Sequence, residues 1–354
     1  MGVTHAGERT EPAWADALTQ ALAAFDRRRI ATAARLFRQA ETRGLPPLTA
    51  VEPRWITAML LGRYERAWCL SDAVLASRAG DDFNRPWTPY HTRCVWDGAP
   101  LAGRRVLVRC YHGLGDSIQF LRYAKPLAAL GCTVLLEIQP ALMDLARTCP
   151  GVATVVALGD ADAALSWDVQ VESMELPHAL RTTHRTVPDC VPYLAVDLPR
   201  HRAAGRPRVG LIWQAGGWDE RRSLALADLA PLLALRRHVD LLALQPEQDP
   251  AWLAAMGLED ASTPALDGLA HVLAGLDLLV TVDTMAAHLG GAMAVPTLVL
   301  LHHAADWRWG ARGHRTPWYP GMILLRQPRP GAWTPVVAAA FDCVAARAGI
   351  GRPA

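Results

Sequence analysis

Two hydrophobic patterns divide the chain into a helical part and an alternating part. Between residues 11 and 80, apolar side chains recur at helical spacing, as at Leu18, Leu22 and Phe25. From residue 101 onward, short apolar runs such as the one at 105–110 alternate with amphipathic stretches. Strands and helices in turn produce this alternation, which is typical of an α/β fold. The sequence therefore predicts a small all-α module at 11–80, followed by an α/β region.

The helical part contains an internal repeat with a shift of 34 residues. At this shift, small and apolar positions coincide in two copies, namely Ile30, Ala33, Leu36 and Ala40 with Tyr64, Ala67, Leu70 and Val74. This shift equals the period of tetratricopeptide repeats, and the segment 62–67 (GRYERA) resembles the core of that repeat. Two repeats are fewer than usually fold alone. The module is either tetratricopeptide-like or a plain helical cap, and we expect it to pack on the next domain.

The α/β region divides into two successive lobes. The predicted strands are 105–110, 133–138, 152–158 and 168–171 in the first lobe, and 209–213, 239–244, 278–282, 297–301 and 322–325 in the second. Single helices are predicted at 117–130 and 226–235. We place the first lobe at 101–200, the second at 205–330 and a closing helix at 331–350. Residues 81–100 form a linker and 201–210 a joint. The predicted fold is a pair of Rossmann-type lobes behind a small all-α module.

The loop after the first strand carries a glycine pair and a carboxylate. Gly113 and Gly115 allow a tight turn and close approach of a ligand, whereas the third glycine of a dinucleotide fingerprint is absent. Asp116 falls where the next helix begins. It is either an N-cap residue or, if it faces a cleft, a general base, and the two roles are compatible.

Two further loops follow strands of the second lobe. The first, 213–223, contains Arg221, Arg222 and Ser223 between glycines and a helix, which suits a diphosphate, although a solvated loop is equally consistent. Gln245 follows the next strand and could contact the base or ribose of a nucleotide. Ligands of such sheets bind beyond the carboxyl ends of the strands, where these loops lie.

Another candidate loop joins an apolar strand to a helix near residue 284. Asp283 or Thr284 can cap this helix, and its first free N–H groups, beginning at Met285, form an anion site. His288 lies four residues after Thr284 and can face the same side of the helix. A histidine on an apolar helix is more often structural, but the neighbouring Asp-Thr pair favours a binding site.

The net charge and the cysteine pattern argue against some classes of function. The net charge of +2 argues against a nucleic-acid surface, and seven scattered cysteines without a CxxC pair suit reduced thiols in the cytoplasm. No apolar run reaches the length of a membrane span, although peripheral membrane contact stays open. Asp160 and Asp162 form a D-x-D that we interpret as solvated, and we expect no metal at His302, His303 and Asp306.

The loops resemble glycosyltransferase family nine, the family of the ADP-heptose lipopolysaccharide heptosyltransferases. The resemblance rests on 112–123 (HGLGDSIQFLRY) and 277–292 (DLLVTVDTMAAHLGGA), and the segments after residue 306 resemble a subgroup with tetratricopeptide repeats before the transferase region. It covers about residues 15–345. It implies a GT-B fold and an inverting mechanism without metal or cofactor.

The same resemblance assigns roles to individual residues. It implies that Asp116 is the catalytic base and that the leaving diphosphate is stabilised near Thr284 by the helix start and a cation. Heptosyltransferases carry a lysine in the first loop of the second lobe, whereas the only lysine here is Lys125, so Arg221 or Arg222 would replace it. The candidate substrate-binding residues are Gly113, Gly115, Gln119, Arg221, Arg222, Ser223, Gln245, Asp283, Thr284, Met285 and His288.

The expected partners follow from this resemblance. A nucleotide sugar would be the donor, and a glycan, a lipid-linked molecule or a protein the acceptor; the repeats would dock a protein partner. Two rival interpretations stay open: a repeat-bearing protein that binds nucleotide sugars without turnover, and a sugar-nucleotide epimerase. A function inferred from fold alone still has to be argued from the site.

Overall fold

A computed structural model of the protein describes residues 12–78, 96, 98–197, 205–217 and 219–350. The described residues form two compact units. One contains 12–78 together with Asp306–Ala311, and the other contains the remainder. Most of the predicted linker 81–100 and part of the joint 201–210 lie outside the described residues, as does Trp218 in the candidate loop 213–223.

The first unit is helical, as the spacing of its apolar residues predicts. Its helices are α1 (Ala15–Asp26), α2 (Ile30–Thr42), α3 (Val51–Leu60) and α4 (Tyr64–Ser77). Helix α1 packs on α2 and α3 on α4, and the second helix of each pair begins at the two positions that the internal repeat relates. Trp307 packs edge-on against Trp55 at 5.3 Å, which joins the segment Asp306–Ala311 to this unit. The tetratricopeptide assignment itself stays a prediction.

The second unit contains two parallel sheets. The first sheet, with order β3-β2-β1-β4, and its helices form what we call the first lobe. Its elements are β1 (Arg105–Cys110), α5 (Leu114–Phe120), α6 (Ala124–Ala129), β2 (Thr133–Ile138), α7 (Met143–Arg147), β3 (Val152–Ala157), α8 (Ala161–Ala164), β4 (Val169–Glu172) and α9 (Leu176–Ala179).

The second sheet and its helices form the second lobe. Its elements are β5 (Arg208–Ile212), α10 (Ala230–Leu233), β6 (Asp240–Ala243), α11 (Pro250–Met256), β7 (Glu259–Asp260), α12 (Leu266–Ala274), β8 (Leu278–Val282), α13 (Met285–Ala292), β9 (Thr297–Leu301), β10 (Met322–Arg326) and α14 (Thr334–Arg347). The strand order β10-β9-β8-β5-β6-β7 is the doubly wound Rossmann order. Its core includes Leu211, Val280 and Leu298 from the strands and Val337 from α14.

All paired strands are parallel, but the direction in which successive strands are added to the sheet reverses at one point in each lobe. In the first lobe this switch point lies between β1 and β4, and in the second between β5 and β8. Ligands of open parallel sheets bind at such points, beyond the carboxyl ends of the strands. The loops after β1, β5 and β8 contain most of the candidate residues, so the topology places these three loops at switch points. Gln245 follows β6, which is the neighbour of β5 on the side away from the switch point.

Two predicted helices are broken in the structure. The single helix expected at 117–130 begins earlier, at Leu114, and is interrupted by a 3₁₀ turn at Leu121–Tyr123 before α6. Pro126 lies in the first turn of α6, where its missing N–H is tolerated, and it could not continue a longer helix. The helix expected at 226–235 is likewise a short α10 between two 3₁₀ turns, with Pro231 near its start. The two-residue strand β7 has no apolar pattern and was not predicted.

No helix among the described residues is long and apolar enough to cross a membrane.

Candidate active site

Asp116 lies on the first turn of α5, beyond the carboxyl end of β1. Gly113 is the N-cap residue of α5, so Asp116 is the third helical residue and not the cap. The Gly113 N–H donates to Asp116 Oδ2 at 3.2 Å, and the Ser117 N–H donates to the Gly113 carbonyl at 3.0 Å. The Asp116 carboxylate therefore stabilises the first turn of α5 by accepting a hydrogen bond from the N-cap backbone, as the acidic residue of a capping box does. Asp116 remains partly exposed, which a general base requires.

Helices α5 and α13 pack against each other beside Asp116. A methyl group at Gly115 would lie 3.0 Å from His288 Cδ2 and 3.5 Å from the Met285 Cα atom. Only a residue without a side chain permits this approach with both helices in their present positions. The contact brings the switch point of the first lobe to the helix that begins at the switch point of the second.

The start of α13 has the features of an anion site. Thr284 is its N-cap residue in an extended conformation, but its hydroxyl does not cap the helix. The hydroxyl lies 3.2 Å from Thr281 Oγ1 instead, in a hydrogen bond between the two side chains. The first N–H groups of α13 are therefore not satisfied by the N-cap side chain, and the helix dipole there favours negative charge.

The arginines of the loop after β5 have different surroundings. Arg221 makes two hydrogen bonds of 2.8 Å to the carboxylate of Asp219, and these bonds hold the pKa of Asp219 below its ordinary value. Arg222 instead donates from Nη1 to the Asp283 carbonyl oxygen at 3.1 Å. This bond crosses the switch point and places the Arg222 guanidinium beside the residue that precedes Thr284. Arg222 is thus the arginine better placed to meet an anion at the start of α13.

Ser223 and Gln245 hold the same loop in position. The Ser223 hydroxyl accepts a hydrogen bond from the Ala215 N–H at 3.0 Å. Gln245 Oε1 accepts one from the Gln214 N–H, also at 3.0 Å. Both predicted binding residues therefore have a structural contact, and any contact they make with a nucleotide stays a prediction.

No protein-family model matches the sequence, and no curated protein matches it. Several solved structures share the fold of the chain. One is a glycosyl transferase family 9 protein from Veillonella parvula, with 12% identity, a TM-score of 0.54, and coverage of 72% of this chain and 99% of that chain.

The chain has a glycosyltransferase fold. Two further structures agree with this. The iron-containing dodecameric glycosyltransferase TibC from enterotoxigenic E. coli has 15% identity and a TM-score of 0.51, over 70% of this chain and 77% of that chain. The ADP-heptose lipopolysaccharide heptosyltransferase II of E. coli has 13% identity and a TM-score of 0.50, over 69% and 99%. At these identities the likeness establishes the fold alone.

Within this glycosyltransferase fold, His288 belongs to a buried network that the sequence did not indicate. His288 Nδ1 and the Tyr319 hydroxyl are 3.0 Å apart, and both residues are buried. The Tyr319 ring lies 4.4 Å from the guanidinium of Arg122, which is itself 3% exposed. Burial raises the pKa of Tyr319 well above its ordinary value, so the phenol stays protonated.

Arg122 is the centre of this network. Its guanidinium donates to the carbonyl oxygens of Gln119 at 2.7 Å and Pro188 at 3.0 Å, to that of Trp318, and to the Tyr193 hydroxyl at 3.1 Å. The planar fork of an arginine fits several acceptors at once, which a lysine ammonium would not. Because Arg122 is in the first lobe and Trp318 in the second, the network joins the two lobes.

A buried carboxyl group also lies at the first switch point. Glu172 ends β4, is 3% exposed, and accepts hydrogen bonds from the Met174 N–H at 2.9 Å and the Ser173 hydroxyl at 3.2 Å. Burial raises its pKa to about 8, and the charge of Asp116 contributes in the same direction. His112 Nε2 lies 3.4 Å from Glu172 Oε1. A glutamate at a strand end carries no pattern that distinguishes it in the sequence.

Gln119 and Asp162 both differ from simple solvent-facing positions, because each contacts a buried arginine. Gln119 is fully buried, and its carbonyl oxygen receives the Arg122 bond. The sequence predicts that Asp162 is solvated, and its side chain is indeed 64% exposed. Its carboxylate nevertheless forms an ion pair of 2.7 Å with the buried Arg109, so the prediction that it has only solvent contacts is wrong. Among the described residues, no group of three or more His, Cys, Asp or Glu side chains could hold a metal ion. The described cysteines are free thiols.

Proposed function

We propose that the protein is an inverting, metal-independent glycosyltransferase that moves a sugar from a nucleotide-diphosphate sugar to an acceptor hydroxyl. The observation that carries the proposal is the α5–α13 contact at Gly115, which sets Asp116 beside the helix whose start can bind a diphosphate. A base and an anion site on facing elements are what in-line displacement at a sugar carbon requires.

In the proposed reaction, Asp116 accepts the proton of the acceptor hydroxyl as that oxygen attacks C1 of the donor sugar. The new C1–O bond forms while the bond from C1 to the diphosphate oxygen breaks, so the configuration at C1 inverts. The proton remains on Asp116 until product leaves, and the nucleoside diphosphate departs with the bonding electrons. Rate enhancement comes from positioning and from stabilising the charge of the leaving group.

The charge on the leaving diphosphate would be met from the second lobe. The first N–H groups of α13 and the guanidinium of Arg222 supply hydrogen-bond donors there. His288 stands one turn further along α13. Because its Nδ1 is bonded to Tyr319, Nε2 is the nitrogen that would face a phosphate. Arg222 would thus take the role that a lysine has in the heptosyltransferases.

The fold supports the proposal independently of the site. The three solved structures named above are glycosyltransferases, and one is by name an ADP-heptose heptosyltransferase. We therefore propose a nucleotide sugar as donor, and a glycan, lipid-linked or protein acceptor. We place the reaction in the cytoplasm, where the free thiols would stay reduced. Transfer is expected to persist in EDTA.

A binding panel followed by a transfer assay tests the proposal. Thermal shifts with nucleoside diphosphates and nucleotide sugars should identify at least one ligand, since a ligand at about 100 times its dissociation constant adds ~2.7 kcal/mol to stability. Donor consumption with that ligand should then be lost in Asp116→Asn while binding is kept. Asp144→Asn, an exposed carboxylate of the same lobe, is the matched control.

The outcomes separate the rival interpretations. A wild-type transfer rate in Asp116→Asn would show that the carboxylate only supports the turn. Binding without any turnover by the wild type would favour a non-catalytic nucleotide-sugar protein. The absence of a shift with every nucleotide would argue against both.

A further inference from the structure

A cavity in the helical unit is separate from the candidate active site. It has a volume of ≈ 300 Å³ and lies between α2, α3 and α4. Part of its wall is apolar and includes Phe37, Ala58 and Leu70. A cavity of this size holds a side chain or a small group of atoms.

The cavity carries an excess of positive charge. Four arginines line it, Arg38, Arg54, Arg63 and Arg66, against one carboxylate, Glu41. Arg54 is 6% exposed and bonds Glu41 Oε1 through Nε and Nη2, and Arg66 pairs with Glu41 Oε2. Arg38 and Arg63 are exposed, and within the part of the chain that the structure describes neither forms an ion pair with a carboxylate.

A buried polar atom in the cavity wall also lacks a partner. Thr57 is 2% exposed, and its Oγ1 makes no hydrogen bond to any described residue. A buried hydroxyl that has lost its water and gained no protein partner destabilises the folded state. Threonines within helices usually bond the carbonyl one turn earlier, so this free hydroxyl is a site for a hydrogen bond from a ligand.

We propose that this cavity binds an acidic peptide segment of a partner protein. An apolar side chain of the peptide would occupy the wall formed by Phe37, Ala58 and Leu70, and its carboxylates would pair with Arg38 and Arg63. A peptide N–H or carbonyl would bond the Thr57 hydroxyl. Complementary charge of this kind selects the partner and its orientation.

The position of Glu41 favours a peptide over a compact anion. A phosphate placed among the arginines would lie beside the Glu41 carboxylate, which already binds Arg54 and Arg66. A peptide can distribute its charges toward the outer arginines, Arg38 and Arg63, and present an apolar group near Glu41. The proposal concerns the helical unit alone and does not depend on the proposed transferase activity.

Fluorescence anisotropy with the full-length chain tests the proposal. The probes are labelled synthetic peptides in which a leucine or phenylalanine is flanked on both sides by aspartate and glutamate. Wild-type protein should bind at least one of them, and the Arg38→Gln/Arg63→Gln double variant should bind it about tenfold more weakly. Thr57→Val should weaken binding a few-fold. Arg35→Gln, an exposed arginine on α2 outside the cavity, should bind as wild type.

Several results would overturn the proposal. They are the absence of binding by every acidic peptide, equal weakening by Arg35→Gln, and equal binding of control peptides that carry asparagine and glutamine instead of the acidic residues. Displacement of the peptide by inorganic phosphate at a lower concentration than by unlabelled peptide would assign the cavity to a small anion. Circular dichroism establishes that the variants are folded. Unchanged thermal shifts with nucleotides keep this result distinct from the transferase test.

Discussion

Replacement of Gly115 by alanine is expected to impair the candidate active site while the chain stays folded. The added methyl group would meet His288 Cδ2 at 3.0 Å and the Met285 Cα atom at 3.5 Å. His288 is buried and bonded to Tyr319, so its ring has little freedom to turn away. The start of α13 would therefore have to move by a few tenths of an ångström away from α5.

The expected magnitude follows from two opposing effects of Gly115→Ala. Overpacking of a close contact typically costs about 1–3 kcal/mol. Alanine in place of glycine within a helix gains up to about 1 kcal/mol, and less in the first turn. The net loss of stability should be about 0–3 kcal/mol, which leaves a folded protein. A misplacement of about 1 Å can cost ~100-fold in rate, so a shift of a few tenths should cost about tenfold in transfer.

Urea denaturation and steady-state transfer rates, measured on the same preparations, check this expectation. Gly321→Ala is the control, because a methyl group there would have no neighbour within 4 Å. The control should change neither stability nor rate. A Gly115→Ala variant with the rate and stability of the wild type would refute the reasoning, because the α5–α13 approach would then not constrain the site.

Three further outcomes are expected. Arg222→Gln should weaken nucleoside diphosphate binding about tenfold in calorimetry, whereas Arg221→Gln should change it less than about twofold, since Asp219 neutralises Arg221. A larger loss of binding in Arg221→Gln than in Arg222→Gln would contradict the assignment of Arg222 to the diphosphate. Burial raises the pKa of Glu172 from 4.5 to about 8, so its contribution to stability is full below pH 4.5 and is lost as pH rises to about 8. Melting curves of Glu172→Gln should lack this loss, which is on the order of 5 kcal/mol, and parallel pH profiles of wild type and variant would exclude it. Arg122→Met should lower the free energy of unfolding by about 3 kcal/mol in urea, because it leaves buried carbonyl oxygens without donors; a smaller loss than about 1 kcal/mol would contradict this role.

The strands and their order of succession could be predicted from the sequence because parallel strands are buried on both faces. The runs at 133–138, 278–282 and 297–301 match the observed strands residue for residue. The helix boundaries were less accurate, since Pro126 and Pro231 break helices that apolar periodicity would continue. Strand β7, with both residues exposed, has no pattern to recognise.

The candidate site could be predicted only where a local pattern marks it. Gly115 and His288 could be predicted as candidates because each lies in the first turns of a helix that comes shortly after a strand. Their contact depends on how two lobes pack, which no local pattern encodes. Arg122 was missed because, in a chain with a single lysine, one more arginine carries no signal. Glu172 was missed because its unusual pKa arises from burial, and burial is a property of the folded chain.

The Arg122 network has a consequence for motion. One guanidinium holds backbone carbonyls of both lobes, at Pro188 and Trp318, and the Tyr193 N–H bonds the Ala292 carbonyl at the end of α13. Wide separation of the lobes would leave the buried Arg122 guanidinium without its carbonyl acceptors, and an unpaired buried charge is unfavourable in free energy. We therefore expect substrates to enter and leave through rearrangement of the loops around the site, or by small rotations that pivot at Gly115, and not by wholesale opening. Hydrogen exchange should accordingly be slower along α5 and α13 than in the segment 213–223.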